Sequence, residues 1–282
     1  MRNLLFLIGL IIGMLLVSSC GNKQEENQLS DTLIVSDNPQ KTLVLPPSNT
    51  VTDVDGNVYK TVQIGDQLWM AENLKTTHYA DGAPIPHLES VQDFSALYWE
   101  YPACSESNKS TYGLLYNWNA AMKGFPSSSK NPSGVQGICP KGWHLPSDAE
   151  WKQLTDYVSS QNQYVCGENT ENIAKSLASK TFWNIENTGE TPCAVGNNPS
   201  DNNTTGFNAL PAGFIYPGKE SYKIIEVYQP IGETAAFWTT TKNEKNILSA
   251  WIYELSPTQP VVIREAADYV TYFGLSVRCL KD

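Results

Sequence analysis

The stretch at residues 139–151 restricts the possible folds of this chain more than any other part of the sequence. It reads Cys-Pro-Lys-Gly-Trp-His-Leu-Pro-Ser-Asp-Ala-Glu-Trp. A proline and a glycine interrupt regular structure at its start, and the alternation of apolar and polar residues at 143–145 is typical of a short strand. Ser147 then suits a helix N-cap, and Glu150, three residues later, completes a capping box. The stretch therefore predicts a strand that leads directly into a helix.

The predicted helix has one apolar face. Trp151, Leu154 and Val158 recur at helical spacing and form a stripe that we expect to face the core. We expect Trp143 of the preceding strand to be buried together with Trp151. His144 stands beside a tryptophan, so the sequence favours a structural residue with satisfied hydrogen bonds over a ligand or a catalytic base.

An apolar run at residues 4–17 indicates export. A helix of this length spans about 21 Å, whereas the hydrocarbon core of a bilayer measures about 30 Å, so a secretion signal is favoured over a membrane helix. The following Val-Ser-Ser-Cys at residues 17–20 resembles the bacterial lipobox. The resemblance implies cleavage before Cys20 and a lipid on its thiol. The alternative is an ordinary signal peptide followed by an unrelated cysteine.

A polar segment broken by prolines follows Cys20 and reaches about residue 49. It holds too little apolar surface to offset its ordering entropy, so it predicts a flexible, disordered tether. We therefore expect three parts, namely a lipoprotein signal peptide at residues 1–19, a tether at 20–50 and one globular domain at 51–282.

Charge and motif searches exclude several classes of function. The formal net charge is -10 and basic residues form no run, whereas nucleic-acid binding relies on clustered Lys and Arg. The three histidines, His78, His87 and His144, fit neither a Ser-His-Asp nor an HExxH pattern, and no Gly-rich phosphate loop precedes a helix. No catalytic residue, cofactor or metal is therefore predicted.

Periodicity and turn residues predict further elements within the domain. Predicted strands lie at residues 58–64, 67–70, 235–241, 248–255 and 273–280, with hairpin turns at Asp55-Gly56 and Gly65-Asp66. Predicted helices lie at 114–122 and 171–179, and a predicted Asn-rich loop lies at 197–206.

Five ordered motifs resemble those of a known family. They are Gly-Leu-Leu-Tyr-Asn-Trp-Asn-Ala-Ala at 113–121, the stretch at 139–151, Gly-Phe-Asn-Ala-Leu-Pro-Ala-Gly at 206–213, Phe-Trp-Thr-Thr-Thr at 237–241 and Phe-Gly-Leu-Ser-Val-Arg-Cys-Leu-Lys-Asp at 273–282. In this order they resemble the Fibrobacter succinogenes major paralogous domain, which occurs in secreted and surface proteins of Bacteroidetes and Fibrobacter. The resemblance implies a C-type-lectin-like fold, an α+β domain with short antiparallel strands and two to three helices.

Two neighbouring families narrow what this fold implies. Residues 144–151 and 277–279 are similar to segments of the formylglycine-generating (sulfatase-modifying) enzymes, whose copper-dependent members need a cysteine pair. Gly274 stands where the partner of Cys279 would be needed. Calcium-dependent C-type lectins hold their ion and sugar through carboxylates, and the corresponding segments here, 198–200 and 238–240, carry none. The resemblance therefore implies neither copper-dependent oxidation nor calcium-dependent sugar binding.

Five cysteines remain beyond the lipobox, and an exported protein meets an oxidising compartment. In the C-type-lectin-like fold the termini and the central helices share one core, which implies a disulfide between Cys139 and Cys279. Cys166 and Cys193 flank the second predicted helix and are the next expected pair. This assignment leaves Cys104 odd.

Loops on a rigid scaffold commonly bind ligands, and we expect a site in the loops at 183–206 and 219–233. Side chains there or nearby that offer hydrogen bonds or flat stacking faces to a sugar or a protein surface are Asn197, Asn198, Asp201, Asn202, Asn203, Thr204, Tyr216, Tyr222 and Tyr228. One alternative is a solvated loop with tyrosines in the core or on a strand surface, and another is a site at residues 98–101. Asp201, a single carboxylate among amides, would hold calcium weakly.

The sequence thus predicts a lipid-anchored protein of the cell envelope, in the outer membrane and exposed at the surface, with a non-catalytic C-type-lectin-like domain for binding or adhesion. Its expected partners are the lipid membrane, through acylated Cys20, and a polysaccharide or a surface protein. No cofactor is expected. The alternatives are an oxidase similar to the formylglycine-generating enzymes and a purely structural surface protein.

Overall fold

A computed structural model describes residues 49–88, 97–185, 191–220, 223–268 and 270–282, excluding the side chains at 217–227. The expected signal peptide, Cys20, nearly all of the expected tether and Tyr222 lie outside this part of the chain. Within the described ranges, no helix has both the length and the apolar character needed to cross a bilayer.

Short strands and a few helices alternate along the chain. The strands are β1 Thr50–Thr52, β2 Val58–Ile64, β3 Gln67–Met70, β4 Trp99–Glu100, β5 Leu115–Tyr116, β6 Trp143–His144, β7 Phe214–Glu220, β8 Lys223–Gln229, β9 Ala235–Asn243, β10 Asn246–Leu255, β11 Ile263–Ala267 and β12 Leu280–Lys281. The helices are α1 Lys109–Tyr112, α2 Trp118–Met122, α3 Asp148–Ser159 and α4 Ala174–Leu177. This mixture, with antiparallel pairing between the strands, agrees with the predicted α+β class.

Helix α3 begins where the sequence predicts. Ser147 Oγ accepts from the backbone N–H of Glu150 at 3.2 Å, and Glu150 Oε2 accepts from the backbone N–H of Ser147 at 2.8 Å. This reciprocal capping satisfies two amides that the helix cannot pair internally. Trp151, Leu154 and Val158 are fully buried, so the predicted apolar face is confirmed.

A five-stranded sheet joins distant parts of the chain. Its order is β1-β2-β3-β12-β6, and each pair is antiparallel. In the middle of this sheet, Leu280 pairs with Trp69 on one side and with His144 on the other. The predicted strands at 58–64 and 67–70 are confirmed, together with the turns that precede them.

Strand β3 is buried on both faces, and the sheet separates two hydrophobic clusters. Side chains alternate along a strand, so Trp69 faces the cluster beneath α3 while Met70 faces the other cluster. Trp151 packs in the first cluster, with its ring centroid 5.0 Å from that of Trp69. Trp143 lies in the second cluster. The expected joint burial of Trp143 and Trp151 is therefore wrong, because α3 covers the face to which His144, not Trp143, points.

The remaining strands form smaller sheets. One has the order β11-β10-β9, and the others are the pairs β4-β5 and β7-β8. Strands β9 and β10 confirm the predictions at 235–241 and 248–255. The predicted strand at 273–280 is wrong over most of its length, because its backbone bonds to a different element at almost every step. Gly274 bridges to Ile215, Leu275 to Tyr116, and Ser276 to Phe237.

The two other predicted helices are shorter than expected. Residues 114–122 divide into β5 and α2, because Asn117 caps α2 by accepting from the backbone N–H of Ala120 at 2.9 Å. The prediction at 171–179 holds only for α4, whose C-cap Ala178 is already extended and bridges to Ala209. Both helices are limited by tertiary contacts that the helical pattern does not reveal.

Both expected disulfides are present. Cys139 and Cys279 are bridged with their Cα atoms 5.9 Å apart, and Cys166 and Cys193 with theirs 5.6 Å apart. The state of Cys104 depends on a cysteine outside the described residues, so the expectation for Cys104 stays a prediction.

Candidate functional site

The Asn-rich loop, where the sequence predicts binding, folds around a lysine of the protein itself. Lys175 Nζ donates to the backbone carbonyl of Asn197 and lies 3.4 Å from the carbonyl oxygens of Ala194 and Asn198. Burial lowers the pKa of the Lys175 ammonium, and the charge of Asp201 partly offsets this effect. These carbonyl oxygens of the loop are therefore turned inward to an internal cation.

The polar side chains of this loop do not form one binding surface. Asn202 is fully buried, and its Nδ2 donates to the carbonyls of Ser179 at 3.0 Å and Val195 at 3.2 Å. Asn198 and Asp201 are exposed but bond each other, with Nδ2 and Oδ2 2.6 Å apart. The loop residues Asn197 and Asn203 are half-buried, and Thr204 is exposed. Most of this segment therefore holds the fold.

The predicted stacking tyrosines pack on the β7-β8 hairpin. The ring centroid of Tyr216 lies 5.7 Å from that of Phe214. Tyr228 packs against a small cluster that includes Leu210 and Ile215. Both tyrosines are half-buried, so their rings contribute to the core boundary.

The alternative site at residues 98–101 is mostly internal. Tyr98, Trp99 and Glu100 are all buried. His87 fills the space beside them, with its ring 4.4 Å from that of Trp99 and its Nε2 3.0 Å from Glu100 Oε1. This arrangement is an internal support for β4.

A groove of about 450 Å³ lies beside the Asn-rich loop, and we call it the Phe182 groove. It is open to solvent and combines an aromatic ring, amides, hydroxyls and one charge of each sign. Its lining residues are Lys60, Ala71, Glu72, Thr111, Thr181, Phe182, Asn203, Gly206, Asn208 and Leu210.

Phe182 presents its ring to this groove from an unfavourable backbone conformation. Its φ is 74°, a left-handed value that costs a residue with a Cβ roughly 1–2 kcal/mol. The side chain is 51% exposed, although the next residue, Trp183, is buried. The edge-on contact with Tyr112, at 5.4 Å between ring centroids, orients the ring. An exposed aromatic ring held at such a position is typical of a functional residue.

Asn203 and Asn208 lock each other in place on another wall. The backbone N–H of Asn208 donates to Asn203 Oδ1 at 2.8 Å, and Asn203 Nδ2 donates to Asn208 Oδ1 at 3.3 Å. Both residues have positive φ, which asparagine tolerates better than most residues. Gly206 stands between them, where a Cβ would come within 3.0 Å of Val62. The two amides are therefore fixed before any ligand arrives.

A buried arginine supports this wall from behind. Arg278 is fully buried and donates to Asn73 Oδ1 at 2.7 Å and to the backbone carbonyls of Phe207 at 2.5 Å and Asn208 at 2.8 Å. Burial lowers its pKa to about 9, although the charge of Glu72 acts in the opposite direction. Arg278 thus ties the segment at 273–282 to the backbone that carries Asn208.

Two further grooves offer less to a ligand. One, of about 510 Å³, runs along α3, but its polar groups bond each other. Lys152 pairs with Asp156, Asn131 donates to Gln153 at 2.6 Å, and the ring of Tyr157 covers Gly65. The other groove is lined by Lys152, Arg264 and the edge of α3, and Arg264 there is bound to Asp148 at 2.6 Å.

A smaller cavity of about 240 Å³ contains a pair of carboxyl groups. Glu254 on β10 and Glu265 on β11 are diagonal neighbours, because Glu265 lies opposite Ile252 and Glu254 lies opposite Ile263. Burial, followed by the charge of Glu265, raises the pKa of Glu254 to about 7.

His144 has a structural role, as the sequence predicts. Its Nε2 lies 2.8 Å from Glu150 Oε1 and its Nδ1 lies 2.8 Å from Asp282 Oδ1. Burial lowers the pKa of His144, but the hydrogen bonds and charges of these two carboxylates outweigh burial and raise it. In the described part of the chain, no group of three or more His, Cys, Asp and Glu side chains is arranged to hold a metal ion.

Of the residues that line the Phe182 groove, the sequence predicts Asn203 as a site residue but not Phe182. The predicted loop began at residue 183 and included Asn203. Phe182 carried no signal, because a positive φ at a phenylalanine leaves no pattern in a sequence. Asn208 stood within the recognised motif at 206–213. Glu72, Thr111 and Thr181 come from separate segments that only the fold brings together.

Comparison with known families matches most of the chain. The family model described as the Fibrobacter succinogenes major domain matches residues 62–281, from within β2 to the last strand. No curated protein and no solved structure shows significant similarity to the chain.

Proposed function

Because the chain belongs to the Fibrobacter succinogenes major domain family, and because its domain carries a preformed polar groove, we propose that it is a non-catalytic binding or adhesion protein. The ligand, a glycan or a protein, binds in the Phe182 groove. The observation that carries this proposal is the half-exposed ring of Phe182, held at a positive φ among fixed amides. The proposal includes a C-type-lectin-like fold as the scaffold.

Two features support a binding role over the oxidase alternative. Cys279 forms a disulfide with Cys139, so its sulfur does not supply a thiolate to a soft metal such as Cu(I). Gly274, where the second cysteine would be needed, packs against Ile215. Incubation with Cu(I) and a cysteine-containing sulfatase peptide should yield no aldehyde, and product formation with turnover would restore the oxidase alternative.

The binding role is tested with residues 21–282, which keep the whole of β1, immobilised on a surface. Glycans and surface proteins are passed over the wild type, Phe182→Ala and Phe125→Ala. Phe125 is the matched control, since it is also an exposed phenylalanine but does not line the groove. We expect a ligand whose binding is weakened by the first substitution only. Absence of binding to every probe would favour the purely structural alternative.

The proposal also includes a lipid anchor on Cys20 that holds the protein in the outer membrane, exposed at the cell surface. The lipobox-like sequence at 17–20 supports it. A Cys20→Ala protein should leave the membrane fraction, and whole-cell labelling of the wild type should reach the domain. Unchanged membrane association of the variant would contradict the anchor.

A further inference from the structure

We propose that the ligand of the Phe182 groove is a neutral oligosaccharide. This inference rests on the proposed function, since it names the ligand class of the same groove. Four features of the groove carry the inference. They are the ring of Phe182, the fixed amides, the balance of charge and the volume.

The ring of Phe182 suits a partly apolar ligand with flat faces. Half of this side chain is exposed, and its contact with Tyr112 fixes the ring without removing it from the groove. Pyranose rings carry a patch of C–H groups on one face, which packs against an aromatic ring and gains the apolar burial that an aromatic side chain offers. A small inorganic ion would make no use of this surface.

The polar groups nearby suit hydroxyls. The lock between Asn203 and Asn208 uses both amide oxygens but leaves Asn208 Nδ2 at the groove as a donor. Thr111 and Thr181 add hydroxyl groups, which donate and accept. Sugar hydroxyls need both functions from their partners. Because the amides are already fixed, binding loses little side-chain entropy.

The charges favour a neutral ligand. Lys60 and Glu72 are the charged residues among the lining side chains, so their formal charges cancel. Glu72 also accepts from the backbone N–H of Lys60 at 3.0 Å and lies 3.7 Å from Lys75 Nζ, which holds it at the groove. An anionic ligand would meet this carboxylate, and a cationic ligand would meet Lys60 with buried Arg278 behind the wall.

The size of the groove separates a small ligand from a protein surface. About 450 Å³ lies in the range of sites for small molecules, whereas a stable protein interface is a larger and flatter area. The open groove accommodates a short chain of sugar units whose ends continue into solvent.

The test uses defined oligosaccharides and isothermal titration calorimetry on residues 21–282. Cellotetraose, xylotetraose and mannotetraose are the neutral probes, tetragalacturonate is the anionic probe and chitosan tetramer is the cationic probe. The proteins are the wild type, Phe182→Ala, Thr111→Val and the control Phe125→Ala, each checked by its melting temperature. We expect at least one neutral probe to bind, and Phe182→Ala to weaken that binding about tenfold while Phe125→Ala leaves it unchanged.

The possible outcomes distinguish this inference from the function it rests on. Binding of only a charged probe or a protein, lost in Phe182→Ala, would overturn the neutral-sugar inference and keep the groove as the site. Binding of a neutral probe that survives Phe182→Ala and Thr111→Val would overturn the groove itself. Thr111→Val should also bind the neutral probe more weakly than the wild type does, at an unchanged melting temperature. This result would support a contact between the Thr111 hydroxyl and the sugar.

Discussion

Phe182 shows how a single residue can be placed for a purpose other than stability. Residues 180–182 are exposed, and the positive φ at residue 182 turns its ring outward while Trp183 enters the core. A glycine would adopt this φ without the cost that a Cβ imposes. The large ring at this costly position is the basis of the proposed binding role.

Two substitutions separate the backbone cost from the ring. Phe182→Gly and Phe182→Ala both remove the ring, but only alanine keeps the Cβ that opposes a positive φ. We expect the glycine variant to be more stable than the alanine variant by about 1 kcal/mol in urea unfolding, against the usual order at other positions. Both variants should bind the ligand more weakly than the wild type. If alanine is the more stable variant, residue 182 does not hold a left-handed conformation in solution.

Residue roles were the least predictable from the sequence. An asparagine in a loop looks the same whether it is exposed or buried, and Asn202 proves to be a buried brace for the carbonyls of Ser179 and Val195. Lys175 lies in the predicted helix at 171–179 and belongs to no predicted site, yet it fills the loop from inside. These roles depend on contacts with chain segments up to 23 residues away, which no local pattern contains.

Elements with local signals were predicted well, and elements built by distant contacts were not. Helix α3 starts at Ser147 because its capping partners lie within four residues. The segment at 273–280 has the alternation of a strand, but its backbone passes through bridges to three separate elements. The alternation of residue types along this segment indicates an extended backbone. It does not indicate whether the segment pairs with a single neighbouring strand.

Strands β10 and β11 carry a pH-dependent contact between Glu254 and Glu265. The folded-state pKa of Glu254, about 7, lies above its ordinary value, so the protonated form is favoured in the folded protein. The stability that this proton provides is fully present below about pH 4.5 and is lost as pH rises through about 7.

Replacing Glu265 should reduce this pH dependence without abolishing it, because burial of Glu254 is the larger cause of the raised pKa. We expect Glu265→Gln to raise the free energy of unfolding by about 0.5–1 kcal/mol at pH 8 and to have little effect at pH 5, because like charges across neighbouring strands repel only when both are ionised. Urea unfolding at the two pH values measures the difference. Glu168→Gln, at an exposed carboxylate outside the sheets, is the control. Equal effects of Glu265→Gln at both pH values would contradict charge repulsion between the two carboxylates.

At the scale of the whole molecule, the sequence predicted the class and the cross-links but not the core. The α+β class and both bridges followed from the motifs and their resemblance. The division of the core into two clusters did not, because it depends on β12 entering the middle of a sheet whose other strands lie far earlier in the chain. The pairing of Leu280 with Trp69 and His144 is such a long-range contact.

The two bridges should differ in their effect on global stability. They close loops with sequence separations of 140 and 27 residues. The loop-entropy relation then gives about 5 kcal/mol for Cys139–Cys279 and about 3.5 kcal/mol for Cys166–Cys193. We expect the double serine variant of the first pair to lose more stability in urea unfolding than that of the second. A larger loss for the shorter loop would show that native packing, rather than chain entropy, dominates.

The ammonium of Lys175 has a consequence for the conditions in which the protein can work. Many surface loops are organised by a dissolved ion, whose occupancy follows the concentration of that ion in the surroundings. Here three carbonyl oxygens of the loop surround a cation that is covalently attached to α4. Such a cation is neither diluted nor extracted by a chelator. Lys175 therefore holds the loop, and with it the wall of the groove that carries Asn203, in the same shape whatever the concentration of metal ions in the medium.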